Sequence, residues 1–210
     1  MKRARVRHNE TCPYVTRGGL KLDFALSVFH FNPAGMTVAD LGCHRGGFTD
    51  CLLQHGAARV YAVDTGYGIL DWKLRKDSRV VVHERTNLLH WSAPEPLDMV
   101  VIDAGWTPQR LSLPVALRLV KPGGAILTLV KPQYEAERSE LLRGVLPRER
   151  LPSVMEKVRE NLKQLSAPVI SPNLRTGALG CAWEEAESPI LGSGGNVEFW
   201  WLLRSAGNRA

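Results

Sequence analysis

At 210 residues and 23.3 kDa, the chain is long enough to bury a substantial core without disulfide or metal staples. With 44% hydrophobic and 23% charged residues, it is not a disordered, collagenous or low-complexity polymer. Lys and Arg number 27 against 21 Asp and Glu, and the net charge of +6 suits an anionic or nucleic-acid partner without requiring one. The four cysteines (Cys12, Cys43, Cys51, Cys181) form no zinc-spaced pair or cluster, so free thiols and no metal are expected. No apolar run approaches the roughly eighteen residues of a membrane span. The start is basic, with Lys2, Arg3, Arg5 and Arg7 facing only Glu10, but no apolar secretory core follows it. A soluble, cytoplasmic protein is expected.

In chain order, residues 1–13 read as a basic arm and 14–210 as one domain. Residues 20–30 carry apolar side chains near helical spacing, and Asn32-Pro33 and Gly35 end that helix. TVADLG is a short buried strand reaching Asp40. A Gly-rich loop follows, then a helix over 46–55 closed by Gly56. RVYAVD (59–64), RVVVHE (79–84) and LDMVVIDAG (97–105) are further strands. A helix through 113–120 leads by Pro122-Gly123-Gly124 to the strand AILTLVK (125–131), and 150–166 alternates at helical period. Strand-like segments at 168–171 and 196–203 close the chain, and 173–195, rich in Gly, Ser, Pro and Glu, reads as a long surface loop. Strands alternating with helices predict an α/β fold with a largely parallel sheet covered on both faces.

The loop Asp40-Leu41-Gly42-Cys43-His44-Arg45-Gly46-Gly47-Phe48 follows the first strand, where open α/β sheets bind ligands. It lacks the GxGxxG of a pyrophosphate site, and its acid would repel one; no GK[ST] follows, so it is not a P-loop. A carboxylate at a strand end suits an ammonium group instead. The second strand ends on Asp64, which can accept from both hydroxyls of a ribose. Together the two acids fit S-adenosylmethionine, a zwitterionic amino acid joined to adenosine. The competing reading is a turn whose glycines only permit tight helix–strand packing.

The blocks YVTRGGLKLDFAL, DLGCHRGGFTDCLL, VYAVDTGYGILDWKLR, VVHERTN, MVVIDAG, LVKPQYEAER and GNVEFWWLLR occur in the order of one family. From Tyr14 to Arg204 the chain resembles the FtsJ-like RNA 2′-O-methyltransferases, and is most similar to their TlyA-type "haemolysin" rRNA methyltransferase branch. The resemblance implies a class I S-adenosylmethionine-dependent methyltransferase: a Rossmann-like, mostly parallel seven-stranded sheet, helices on both faces and an antiparallel last strand. It implies a Lys-Asp-Lys-Glu set at Lys21, Asp103, Lys131 and Glu198. For the cofactor it implies Gly46 and Phe48 in the loop, beside Asp40 and Gly42, with Asp64 at the ribose, Asn87 at the adenine and Asp103 near the reacting methyl. The implied partner is RNA, ribosomal RNA or a ribosomal subunit.

A ribose hydroxyl is a poor nucleophile, so methyl transfer to it needs a base or strong orientation. Lys131 is the expected base. Burial and a nearby Lys21 would lower its pKa, with Asp103 and Glu198 orienting the ammonium groups. Taken alone, Lys21 reads as a solvated helix residue and Glu198 as the start of an edge strand; only their ordered joint occurrence unites the set. Three departures stand out. Cys43-His44-Arg45 replaces small or hydroxylated residues, and Arg45 either pairs with the cofactor's carboxylate or obstructs the loop. Gly105-Trp106 alters the loop after Asp103. Thirteen residues before Tyr14 leave no room for the S4 RNA-binding domain usual in the branch. Rival readings are a methyltransferase for a non-RNA acceptor and an inactive RNA-binding factor of the same fold.

Overall fold

The computed structural model describes residues 12–166 and 183–205. Seven strands form one sheet in the order β3-β2-β1-β4-β5-β7-β6. They are β1 (Thr37–Leu41), β2 (Arg59–Val63), β3 (Val80–His83), β4 (Leu97–Ile102), β5 (Val120–Val130), β6 (Trp183–Glu187) and β7 (Phe199–Arg204). β7 runs antiparallel between β5 and β6, and the other six strands are mutually parallel. This is the doubly wound methyltransferase sheet expected from the sequence. Its helices are α1 (Gly18–Val28), α2 (Gly47–Gln54), α3 (Trp72–Arg75), α4 (Gln109–Leu119) and α5 (Leu151–Ser166).

Alternation along the strands divides the core into two layers. On β4, Met99 and Val101 face the layer with α1 and α2, while Val100 and Ile102 face the layer with α4 and α5. A sheet covered on both faces needs apolar residues on both, which is why β4 reads as an unbroken apolar run from Met99 to Ile102. Trp200 and Trp201 follow the same rule. Both are fully buried, Trp200 beside Phe48 in one layer and Trp201 beside Trp183 in the other. No helix among the described residues is long and apolar enough to cross a membrane.

Several element boundaries differ from the sequence reading. α4 starts at Gln109 rather than 113, because the Glu135 carboxylate accepts a hydrogen bond from the Gln109 N–H at 2.6 Å and caps the helix from a distant segment. β5 starts at Val120, which pairs with Leu97 before a register shift, so the Pro-Gly-Gly turn lies inside the strand as an irregularity. The long surface loop expected at 173–195 is corrected in part, since Trp183–Glu187 forms the edge strand β6 paired with β7. Its three glutamates suit an exposed edge, where charge discourages further strand addition, and the same charge hid the strand from an apolar-run criterion. Residues 1–11 of the basic arm, the strand expected at 168–171 and Cys181 lie outside the described residues.

Candidate active site

Order reversal between β1 and β4 puts the topological switch point at the carboxyl ends of these two neighbouring strands. Asp40 lies near the end of β1, while Asp64, Asp103 and Lys131 each follow directly on β2, β4 and β5. Because β7 is antiparallel, its first residue Phe199 pairs with Val130, the last of β5, and Glu198 arrives beside Lys131. The reversed strand thus delivers a fourth charged group to an edge otherwise supplied by parallel strands.

Two ion pairs result. Lys131 Nζ lies 2.5 Å from Asp103 Oδ1, a close ion pair. Lys21, on the buried face of α1, donates to Glu198 Oε2 at 2.5 Å. The Glu198 side chain is 2% exposed and that of Lys21 9%, so the solvated-face and edge-strand readings of these residues do not hold. Burial raises the Glu198 carboxyl above its ordinary range, Lys21 opposes this, and Asp103 adds repulsion. For Lys131 burial pulls the pKa down, but Asp103 and then Glu198 outweigh it, and the ammonium is held above its ordinary value. The lowered pKa expected for a lysine base is therefore not what this arrangement produces, because carboxylates rather than Lys21 dominate its surroundings.

Beside the pairs lies a small cleft, open to solvent and lined by Thr16, Gly18, Gly42 to Arg45, Gly47, Phe48 and Asp103. Gly42 has φ +91°, and a Cβ there would sit 2.7 Å from the Asp103 carbonyl oxygen, so only glycine lets the two strand ends approach. Gly46 caps α2 at φ +93°, against Leu70 and Leu74. Asp40 is fully buried beneath the loop. Thr49 donates to its Oδ2 at 2.7 Å, while Oδ1 has no hydrogen-bond partner. Burial lifts this carboxyl to about 7, reinforced by Asp103 and Asp64 against the Thr49 hydrogen bond. Asp64 accepts from the backbone N–H groups of His44 at 2.8 Å and Gly66 at 2.7 Å, leaving further lone pairs on both oxygens.

Of the cofactor residues expected from the sequence, Gly42, Phe48 and Asp103 line the cleft, whereas Asp40, Gly46, Asp64 and Asn87 do not form its wall. Asn87 is exposed and caps the 3-10 turn Leu88–His90 by accepting from the Leu89 N–H. Thr16 and Gly18 form a wall that sequence reasoning missed, although both lie in the YVTRGGLK block. The Asp50 carboxylate fixes it by accepting from the Val15 N–H at 2.9 Å. His44 also lines the cleft, at φ +47°. Beyond Asp103, Trp106 adopts φ +61° and is 84% exposed. Its ring lies 4.8 Å from that of Tyr134, which in turn lies 5.8 Å from Lys131 Nζ.

The ligand atoms of Asp23, Cys51 and His55 lie within 4.8 Å of one another, outside this cleft. The arrangement ties α1 to α2 through a 2.8 Å His55–Asp23 contact, and burial pushes the Cys51 thiol up to about 12.

Comparison with known proteins agrees with this architecture. TlyA of Mycobacterium tuberculosis, described as a 16S/23S rRNA (cytidine-2′-O)-methyltransferase, is 37% identical over 207 residues, covering 94% of this chain and 70% of that protein. YqxC of Bacillus subtilis is 41% identical over 192 residues, which span 89% of this chain but only 64% of YqxC. A Lactococcus lactis protein of known structure superposes with a TM-score of 0.81 at 35% identity, covering 94% of this chain and 91% of that one. The model of the FtsJ-like methyltransferases matches residues 14–200, the span that carries both ion pairs and the cleft, and the chain belongs to that family.

Proposed function

We propose that the chain transfers a methyl group from S-adenosylmethionine to a ribose 2′-hydroxyl of RNA, with ribosomal RNA as the substrate class. The observation that carries this reading is the pairing of Lys131 with Asp103 and of Lys21 with Glu198 beside the Gly42 cleft. The donor set fits the cofactor: the unpartnered, buried Oδ1 of Asp40 suits an ammonium group, and Asp64 keeps acceptor capacity for a ribose. When bound, the cofactor supplies a methyl group activated by a sulfonium.

Lys131, held as an ammonium, orients the hydroxyl by donating a hydrogen bond to its oxygen. Lys21 and Glu198 fix the far side of that ammonium's surroundings. The hydroxyl proton becomes strongly acidic as the new C–O bond forms, so it passes to the Asp103 carboxylate without prior removal by a neutral lysine. Alignment then supplies a large share of the acceleration. The exposed Trp106 ring, backed by Tyr134, offers a face for the nucleobase of the same nucleotide.

The test uses ribosomal RNA and a matched fragment carrying a 2′-deoxy target. Transfer to the first and none to the second is expected, and equal transfer to both would overturn the ribose assignment. Lys131→Met should reduce transfer roughly a hundredfold or more while leaving cofactor binding intact.

A further inference from the structure

The cleft contains an imbalance of charge. Asp103, already paired with Lys131, lines it, Asp64 is tied to its wall through the His44 N–H, and Asp40, its carboxyl lifted by burial, lies beneath it. A zwitterionic amino acid finds ready partners there for its ammonium group, but its carboxylate meets acids, and like charges at short range repel. Arg45 is the one permanently cationic side chain among the described residues that line the cleft.

Its backbone is fixed on both sides. The Gly46 N–H donates to the Cys43 carbonyl at 2.7 Å, and the Asp71 N–H donates to the Arg45 carbonyl at 3.2 Å. Its side chain is 58% exposed, and the carboxylate near it, Asp71, lies 3.9 Å away, beyond hydrogen-bonding range. Asp71 is itself engaged as the cap of α3, accepting from the Lys73 N–H at 3.0 Å. Arg45 stands at the cleft wall with donors that Asp71 does not consume.

We infer that Arg45 is the carboxylate-recognition residue of the cofactor site, exchanging its loose contact with Asp71 for a paired, two-donor contact with the amino-acid carboxylate. The inference rests on the cofactor reading above. A guanidinium fork matches a carboxylate in shape and charge, and its base is already ordered. The consequence is selective: the residue distinguishes ligands with an amino-acid tail from those that share only the adenosine thioether.

Titration calorimetry on the full chain tests this with S-adenosylhomocysteine and with 5′-methylthioadenosine, which lacks the amino-acid carboxylate. Arg45→Gln is expected to weaken S-adenosylhomocysteine roughly tenfold to a hundredfold and to leave 5′-methylthioadenosine nearly unchanged. Arg45→Lys, which keeps the charge, should recover part of the loss, and it carries the test if the Gln variant does not fold. Equal losses for both ligands, or no loss for S-adenosylhomocysteine, would overturn the assignment. If the unaltered chain binds neither ligand, the cofactor reading itself falls and this inference falls with it.

Discussion

Lys21 and Glu198, 177 residues apart in sequence, meet at 2.5 Å and join the first described helix to the entry of β7. A pair this buried contributes little net stability as a unit, because desolvation offsets attraction, yet leaving one charge alone is costly. Lys21→Met or Glu198→Gln alone should each lower unfolding stability, by about 3 kcal/mol for the worse of the two. The double variant should lose less than the sum of the single losses. Urea unfolding of the four proteins measures the coupling, and strict additivity would remove the pair from the account.

Asp40 ties stability to pH. Its native carboxyl sits at about 7, against an ordinary value of 3.8, so between these limits the folded chain holds a proton that the unfolded chain releases. Stability from this group is present at acid pH and is lost as pH rises towards 7. Asp40→Asn should therefore stabilise the protein at pH 8, by on the order of 4 kcal/mol, and far less at pH 4. The same change should weaken cofactor binding. Thermal melts across that range decide the first point, and a pH-independent difference would refute it.

How much of this was legible beforehand follows from where each signal lies. Strands β1 to β5 announce themselves as apolar runs, because a parallel sheet buries both faces. The acids and the lysine at their ends were readable by position alone. β6 was not, since an edge strand bearing Glu184, Glu185 and Glu187 has no apolar run to show. The protonation of Lys131 is not decided by the sequence, for a different reason. Its pKa depends on which charges lie nearest, and the β5–β7 register that brings Glu198 close is a long-range pairing. The contact of Trp106 with Tyr134 is likewise invisible until two loops meet.

Trp106 spends backbone energy on its exposure, since a bulky residue at φ +61° is disfavoured. Trp106→Gly should relieve that strain and raise stability by about 1 kcal/mol. It should also weaken RNA binding by roughly 1–3 kcal/mol through lost stacking, with cofactor affinity unchanged. Paired melts and RNA titrations test this, and unaltered RNA affinity would exclude the ring as a base platform.

Gly192 lies against the carboxylate of Glu198, and a Cβ there would fall 2.1 Å from Oε1. The backbone is in an ordinary region, so the constraint is space alone. Gly192→Ala should push Glu198 off Lys21, lowering stability by roughly 1–3 kcal/mol and slowing methyl transfer, with S-adenosylhomocysteine affinity preserved. Calorimetry beside a transfer assay separates the two effects; a weakened cofactor site would point instead to a general collapse of the cleft.

The placement of β7 between β5 and β6 has a consequence for how the chain is made. Every other strand precedes it in sequence, so during synthesis β5 waits with one hydrogen-bonding edge open until residues 199–204 emerge. An unpaired edge on an apolar strand is an aggregation hazard for that interval. Glu198 arrives with the same segment, so the second ion pair of the site forms only when that edge is sealed. Ribosome-bound intermediates shorter than this point would carry a cleft with Lys21 buried and unpartnered, and assembly of the charged site coincides with completion of the sheet.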